Sequence, residues 1–533
     1  MEELKPYALI SVSDKTGLES LAPVLIRNGF RLLSTGGTAN FLTSKGFSVV
    51  DVGDYTGQAS ILDGRVKSLH PKIHAGILFD RKNPRHCEEI QKQNIESISL
   101  VIVNLYPFEQ AREGSLPMDK AIELIDIGGP TILRAAAKNW MNCTTITDVQ
   151  DYQLIETELS TAGSVSSQTR LKLAKKVFKR VSDYDAMISS YMNQELEASA
   201  NQEHSEKQNF PEQWQLNLKK ASDLRYGENP NQHAALYYPE GLDHRFIVDS
   251  EKQIQGKPLS YNNLLDLFSA WNLIQEFSTE TACAIVKHSN PCGCATTGSN
   301  KKLAEIYQEA LAGDPRSAFG GIVACNKTID EDSATLMSEI FLECIAAPEF
   351  TSGALKVFAK KKNLRLVRLS LDSLAKGSAT DFQIRSTGPM FLVQETDEME
   401  AFVTWKHATT KQATEEEIHD MQFAMKVASH VKSNGIVFAK NRQCISIAGG
   451  HTSRIDAVDF AIQRARADGK ELEGAVMASD AFFPFPDCVE LAAKAGIAAI
   501  VQPGGSIKDA ASIEAANTAG LAMILTNRRH FRH

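Results

Sequence analysis

Several things are missing from this 533-residue chain. It has no run of about 18 apolar residues, which leaves no segment to span a bilayer as a helix. Its first six residues, Met1 to Pro6, carry two glutamates and no apolar stretch, so nothing there reads as a secretory signal and the expected compartment is the cytosol. Positive charge is not in excess. The 57 lysines and arginines stand against 65 aspartates and glutamates for a net charge of −8, which offers no footprint for nucleic acid. The nine cysteines are odd in number and spread over the whole chain, the pattern of reduced thiols rather than of a disulfide framework, so Asn142-Cys143-Thr144 is a chance sequon. The glycine-rich turns match neither G-x-x-x-x-G-K-S/T nor G-x-G-x-x-G, so neither a nucleoside triphosphate nor a nicotinamide cofactor is indicated.

What is present is a large globular chain, 43% hydrophobic and 23% charged, longer than one core usually holds; two to four domains are expected. Over the first 150 residues short β-rich runs (Ala8 to Val12, Arg31 to Ser34, Val49 to Val52, Leu100 to Val103, Thr144 to Ile146) alternate with helical patterns and glycine-rich turns. That rhythm predicts a parallel sheet with ligands at the carboxyl ends of its strands. Apolar residues Leu171, Ala174, Phe178, Val181 and Ile188 predict an amphipathic helix from Arg170 to Tyr191, whose six basic residues read as a solvated face. The polar, aperiodic stretch Asn193 to Gln213 marks a domain boundary. Beyond it the strand and helix patterns resume as two α/β subdomains, and Ala284 to His288 is similar enough to Val437 to Asn441 to hint at a duplicated unit.

Two clusters carry chemistry. The first is the run Asp63 to His74, with Arg65, Lys67, Ser68 and Lys72. It joins two turns suited to a phosphate through their free N–H groups and hydroxyls: Ser11-Val12-Ser13-Asp14-Lys15-Thr16-Gly17 and Ser34-Thr35-Gly36-Gly37-Thr38. A monophosphate is the expected ligand. Asn104-Leu105-Tyr106-Pro107-Phe108 closes a strand, and Asp126-Ile127-Gly128-Gly129-Pro130-Thr131 opens a helix running through Lys138. Lys67, Tyr106, Asp126 and Lys138 together can form an acid–base set. The second cluster is Lys287-His288 before Pro291 and Gly293. Neighbours on a regular strand face opposite ways, so both side chains reach one ligand only where the strand ends or bulges.

Val12-Ser13-Asp14-Lys15, Gly64-Arg65-Val66-Lys67, Asn104 to Phe108 and Ile125 to Asn139 resemble the cyclohydrolase half of the bifunctional purine biosynthesis family. Leu224 to Pro230, Lys287-His288, Ser317 to Gly321, Val431 to Asn434, Ser453-Arg454, Ser479 to Phe485, Gln502 to Ser506 and Arg529 to His533 resemble its transformylase half. Together they span essentially the whole chain in order. The resemblance implies an α/β protein: an inosine monophosphate (IMP) cyclohydrolase domain over 1–200, methylglyoxal-synthase-like over 1–148 with a helical extension, then a transformylase region over 201–533. That region would hold two cytidine-deaminase-like subdomains at about 214–390 and 391–533. It implies formyl transfer from 10-formyltetrahydrofolate, as cosubstrate, to 5-aminoimidazole-4-carboxamide (AICAR) ribotide, then closure of formyl-AICAR ribotide to IMP. No metal is required for that chemistry, and a homodimer is implied.

By the same resemblance Lys287, His288 and Asn434 carry formyl transfer. Arg225 and Arg529 bind the ribotide phosphate, Tyr226 and Phe319 shape the pocket, Asp480 orients substrate or folate, and Phe531 and His533 line the pocket. Lys67, Tyr106, Asp126 and Lys138 carry cyclisation. Ser11, Ser13, Lys15, Thr35, Gly36, Gly37, Thr38, Arg65, Ser68, Asn104, Gly128 and Gly129 hold the other ribotide. The chain departs from the family pattern at Trp140, Asn231 and His451, which puts pocket details in doubt rather than the reaction class. Two other readings stand beside this one. Pro291-Cys292-Gly293-Cys294 is a mis-spaced echo of a deaminase zinc motif without its H-x-E partner, and methylglyoxal-synthase-like domains also serve as nonenzymatic ribotide sensors.

Overall fold

The computed structural model describes residues 5–62, 65–106, 108, 116–200 (side chains to 193), 210, 214, 216–240, 242–243, 248, 251–296, 301–371, 382–397, 399 and 405–533. Asp63 and Gly64 of the first basic run, Pro107, most of the expected boundary stretch, and Ser378 at the head of a Ser/Thr/Gly-rich patch lie outside them. The chain forms two compact units, Met1–Gln215 and Leu216–His533.

In the first unit, strands β1 (Tyr7–Ser11), β2 (Arg31–Ser34), β3 (Val49–Asp51), β4 (Ile98–Val103) and β5 (Thr144–Ile146) make one parallel sheet in the order β3-β2-β1-β4-β5. Alternate residues serve opposite faces. Leu9, Val101 and Val103 join one core, while Ala8, Ile10, Leu100 and Ile102 join the other, as expected of a sheet covered on both sides. Helices α1 (Leu18–Arg27) and α2 (Gly36–Ser44) follow β1 and β2, and α3 (Gly128–Lys138) and α4 (Ser167–Ala200) pack on the β4 side. The strand order reverses between β1 and β4, the switch point at which such sheets open a crevice for ligands.

Helix α4 corrects one expectation. It is longer than Arg170 to Tyr191, and its buried stripe is Leu173, Ala174, Val177, Val181, Tyr184 and Tyr191. Leu171 and Phe178, counted as core from their spacing, are 51% and 42% exposed, and Phe178 lies instead beneath the Arg134 guanidinium at 5.7 Å.

In the second unit a hairpin of β6 (Leu218–Leu224) and β7 (Ala234–Pro239) precedes a twelve-stranded sheet. Its first half holds β8 (Gln253–Gln255), helix α5 (Tyr261–Gln275), β9 (Ala282–Lys287), β10 (Asn290–Thr296), β11 (Ile322–Cys325), β12 (Cys344–Ala347) and β13 (Arg365–Arg368). A separate ribbon of β14 (Phe382–Thr387) and β15 (Met390–Glu395) intervenes. The second half holds β16 (Lys406–His407), α6 (Glu415–Ala428), β17 (Ile436–Lys440), β18 (Gln443–Ala448), α7 (Arg454–Ala467), β19 (Val476–Ser479), β20 (Ala499–Gln502) and β21 (Ala522–Leu525).

The order β16-β21-β20-β19-β17-β18-β10-β9-β11-β12-β13-β8 is a palindrome of construction about the β18–β10 pair. In each half a hairpin strand pairs antiparallel with the first of three parallel strands, and a short antiparallel strand closes the edge. The five-residue similarity of Ala284 to His288 with Val437 to Asn441 is the trace of this repeat. On one face the halves share a single core, with Leu267, Trp271 and Ile274 of α5 in the same cluster as Met421, Ala424 and Val427 of α6. On the other face each half has its own.

Candidate active sites

In the first unit the switch point is bridged by polar groups. Asn104 Oδ1, just past β4, accepts from Ser13 N at 2.6 Å and Ser13 Oγ at 2.8 Å, just past β1, and Asn104 Nδ2 donates to Asp14 O at 3.0 Å. Thr38 Oγ1 exchanges bonds with both backbone groups of Val12, which fixes the start of α2 against the end of β1. Lys15 Nζ folds back onto Ser13 O, and Ser11 is half-buried at the end of β1.

Loops from two more strand ends, those of β2 and β3, meet the start of α3 nearby. A Cβ on Gly36 would lie 2.6 Å from Lys67 Nζ, and one on Gly128 would lie 3.2 Å from Ser68 Oγ, so the basic run crosses both the Thr35-Gly36-Gly37 turn and the start of α3. The polar hollow beside it, of about 520 Å³, is lined by Thr35, Lys67, Asp51, Asp54 and Ser60. Asp126 caps this corner. Its Oδ1 accepts from Gly129 N at 2.8 Å while its own N–H donates to the Tyr184 hydroxyl. Burial pushes the Asp126 carboxyl up, with the Gly129 and Gly128 backbone bonds pulling the other way. Tyr106 is 56% exposed at the end of the β4 loop.

Two expected residues stand apart. Arg65 is paired with Glu123. Lys138 is the exposed last residue of α3, at the opposite end from Gly128 and roughly 15 Å of helical rise away. Trp140 packs against the core rather than into the crevice.

In the second unit the Lys287-His288 pair sits where the sequence requires a break. β9 ends at Lys287, and His288 and Ser289 form a two-residue turn with φ of 54° and 57° before Asn290 pairs back to Lys287. Two consecutive left-handed residues match a type I′ hairpin, a turn that favours Asn-Gly, and each non-glycine there costs roughly 1–2 kcal/mol. The carboxylate of Asp266 on α5 offsets that cost. Its Oδ2 accepts from His288 N at 3.1 Å and its Oδ1 from Ser289 N at 2.6 Å, and such charge-assisted bonds contribute about 1.5–3 kcal/mol each. The other half repeats the device: Asp420 on α6 accepts from Asn441 N and Arg442 N at 2.9 and 2.7 Å, and those residues have φ of 54° and 56°.

Around the turn, Lys287 Nζ donates to Phe319 O at 2.7 Å, leaving the Phe319 ring 59% exposed against Phe341. Lys432 donates through Nζ to His288 O and through its N–H to Asn290 Oδ1. Two residues on, Asn434 is held from both sides. Its N–H and Nδ2 donate to His451 O, and its Oδ1 accepts from Arg454 at 2.6 Å. Arg454 also pairs with the fully buried Asp480, which accepts from Ser433 Oγ. The His451 substitution is thereby explained in part: the contact to Asn434 is made by its backbone carbonyl, which any residue supplies, while its ring leans on Phe460.

The last residues are tied to this corner by Ser433 N to Arg532 O and His530 N to Asp480 O. Arg529 lies over the Phe531 ring at 4.3 Å, and Phe531 meets His533 edge-on. Arg225 is exposed and stacks on Tyr226, in a loop tied to the start of α5 by Asn262 Nδ2 to Glu228 O; Asn231 is exposed in the same loop. Cys292 and Cys294 are buried inside β10.

A polar hollow beside the carboxyl ends of one parallel sheet and a lysine–histidine turn on a second, duplicated sheet are the two places where reactive side chains gather, the layout of a two-site enzyme. Residues 17–131 match the MGS-like domain family, and residues 136–464 match the family described as AICARFT/IMPCHase bienzyme. The bifunctional purine biosynthesis protein PurH of Persephonella marina is 46% identical over 528 residues, covering 99% of each chain, and that of Acetivibrio thermocellus matches to the same extent. The PurH of Ruminiclostridium cellulolyticum is 44% identical over 529 residues, again covering 99% of each. The chain belongs to the AICARFT/IMPCHase bienzyme family.

Proposed function

We propose that the chain carries out the last two steps of IMP synthesis, with formyl transfer in the second unit and ring closure in the first. The single observation that carries this is similarity over 99% of the chain to proteins named bifunctional purine biosynthesis protein, within a family whose description gives both activities.

The formyl donor in this reading is 10-formyltetrahydrofolate. The acceptor amine of AICAR ribotide is a weak nucleophile because its lone pair is delocalised into the imidazole, so it needs a base as it attacks the formyl carbon. His288 takes that proton, and Lys287 stabilises the oxyanion that forms on the formyl oxygen. Collapse breaks the bond to the folate nitrogen, which leaves with a proton. Asn434 orients the carboxamide or His288, Arg225 and Arg529 hold the phosphate, Tyr226, Phe319, Phe531 and His533 wall the pocket, and Asp480 orients substrate or folate.

In the first unit the carboxamide nitrogen attacks the new formyl carbon within one molecule and the former formyl oxygen leaves as water, so the site mainly holds the reactive conformer and moves protons. Asp126 positions the amide, Lys67 and Tyr106 handle the protons, and the Ser13, Lys15, Thr35 to Thr38, Arg65, Ser68, Asn104, Gly128 and Gly129 groups hold the ribotide. Lys138 is assigned to the oxyanion, and its place at the far end of α3 makes Lys138→Gln the direct test of that role. A fall in cyclisation kcat supports it; an unchanged rate removes Lys138 from the set.

Two further assignments belong to the same reading. The chain acts as a homodimer, supported by the β14–β15 ribbon, on which Met390, Phe391 and Leu392 are each at least 60% exposed. It works in the cytosol; no helix among the described residues is long and apolar enough to cross a membrane.

The test is to supply AICAR ribotide and 10-formyltetrahydrofolate and follow both products, with His288→Ala alongside. IMP from the parent and no formyl transfer in the variant is the expected result. Formylated ribotide that never closes refutes the first-unit assignment, and binding without turnover favours a sensor.

A further inference from the structure

Asp266 belongs to none of the motifs above, yet it is the only side chain among the described residues recorded as accepting from the His288 and Ser289 backbone N–H groups. We propose that Asp266 is a positioning residue for formyl transfer: by holding both residues of the turn left-handed, it sets the backbone from which the His288 imidazole projects. This rests on the reading of His288 as the base.

The argument is one of geometry. A histidine and a serine have no intrinsic preference for a type I′ turn, and without a brace the chain between β9 and β10 relaxes toward ordinary φ values, which swings the His288 Cα–Cβ bond. Lys432 grips the same turn from its other side, at His288 O, so that losing Asp266 leaves the turn held at one edge only. A base displaced by about 1 Å from its reacting proton loses of the order of 100-fold in rate, while ribotide binding, made elsewhere, is little changed.

The molecule supplies its own controls. Asp420 braces the equivalent turn of the other half through the same two bonds, and that turn carries no residue assigned to catalysis. Cyclisation, in the separate first unit, reports intact protein in the same preparation.

In the full-length chain, Asp266→Ala is expected to lower formyl-transfer kcat 10- to 100-fold, with KM for the ribotide within twofold and cyclisation unchanged. Asp420→Ala is expected to lower the unfolding midpoint similarly but leave formyl transfer within twofold. Adding Ser289→Gly to Asp266→Ala, which lets the turn take positive φ without a brace, should restore part of the lost kcat. Asp266→Asn, which keeps an acceptor, carries the same comparison if the alanine variant does not fold.

The proposal is overturned if Asp266 variants keep kcat within twofold, if Asp420→Ala lowers kcat as much as Asp266→Ala, or if Ser289→Gly restores nothing. His288→Ala separates this from the underlying reading. Full formyl transfer in that variant removes His288 as the base whatever Asp266 does, whereas loss there with no effect at Asp266 removes only the brace.

Discussion

The guanidinium of Arg454 joins Asn434, whose Oδ1 it meets at 2.6 Å, to the carboxylate of Asp480, which has no exposed surface. Asn434 therefore owes its orientation to a buried ion pair.

Removing that arginine is expected to do two separable things. Arg454→Met leaves the Asp480 charge buried without its partner, a loss of about 3–5 kcal/mol, read as a lower midpoint in urea. Formyl transfer should be lost even under conditions where the protein stays folded, while cyclisation persists.

Asp126 gives a pH prediction. Because burial raises its carboxyl above the ordinary 3.8, the folded state holds that proton more tightly than the unfolded chain. The resulting stability is full below pH 3.8 and lost as pH rises through the raised value. At neutral pH the ionised group is therefore a cost. Asp126→Asn should leave the first unit as stable or more so at pH 7, with cyclisation abolished. In the parent, cyclisation should fall on acidification with an apparent pKa above 3.8, measurable by a rate profile between pH 4 and 8.

Gly129 allows no side chain. A Cβ there would stand 2.9 Å from Asp126 Cγ and 3.0 Å from Leu105 Cδ2. Gly129→Ala should displace the carboxylate, reduce cyclisation at least tenfold and cost about 1–3 kcal/mol, with formyl transfer as the unaffected control.

The carboxyl terminus is the fourth case. Arg532 is half-buried and hydrogen-bonded to Ser433 through both backbone groups, next to Asn434. Deleting Phe531 to His533 should reduce formyl transfer and spare cyclisation, measured on the same sample.

Strands of the first unit were legible to within two residues because each is an apolar run between glycine or polar turns, and α3 was legible at both ends from Gly128 and Lys138. The stripe on α4 was misjudged at Leu171 and Phe178 because a hydrophobic residue at helical spacing can be covered by a neighbour such as Arg134 without entering the core. Asp266 and Arg454 were not legible as members of a site. Their partners lie 22, 20 and 26 residues away and meet them only through the folded sheet. A signal for Asp266 did exist: Asp420 stands 21 residues before Asn441, as Asp266 stands 22 before His288, but a faint similarity over five residues was too short to fix that alignment.

The core shared by α5 and α6 binds the fates of the two halves. Either half cut free would expose the apolar face that the other now covers, so neither is expected to stay folded without the other. Within such a pair one turn is at liberty to lose any reactive group it had, since its remaining duty is to shelter the other. Lys440-Asn441 stands at the position equivalent to Lys287-His288, so in the proposed reading one turn serves as scaffold and the other as active copy within one chain.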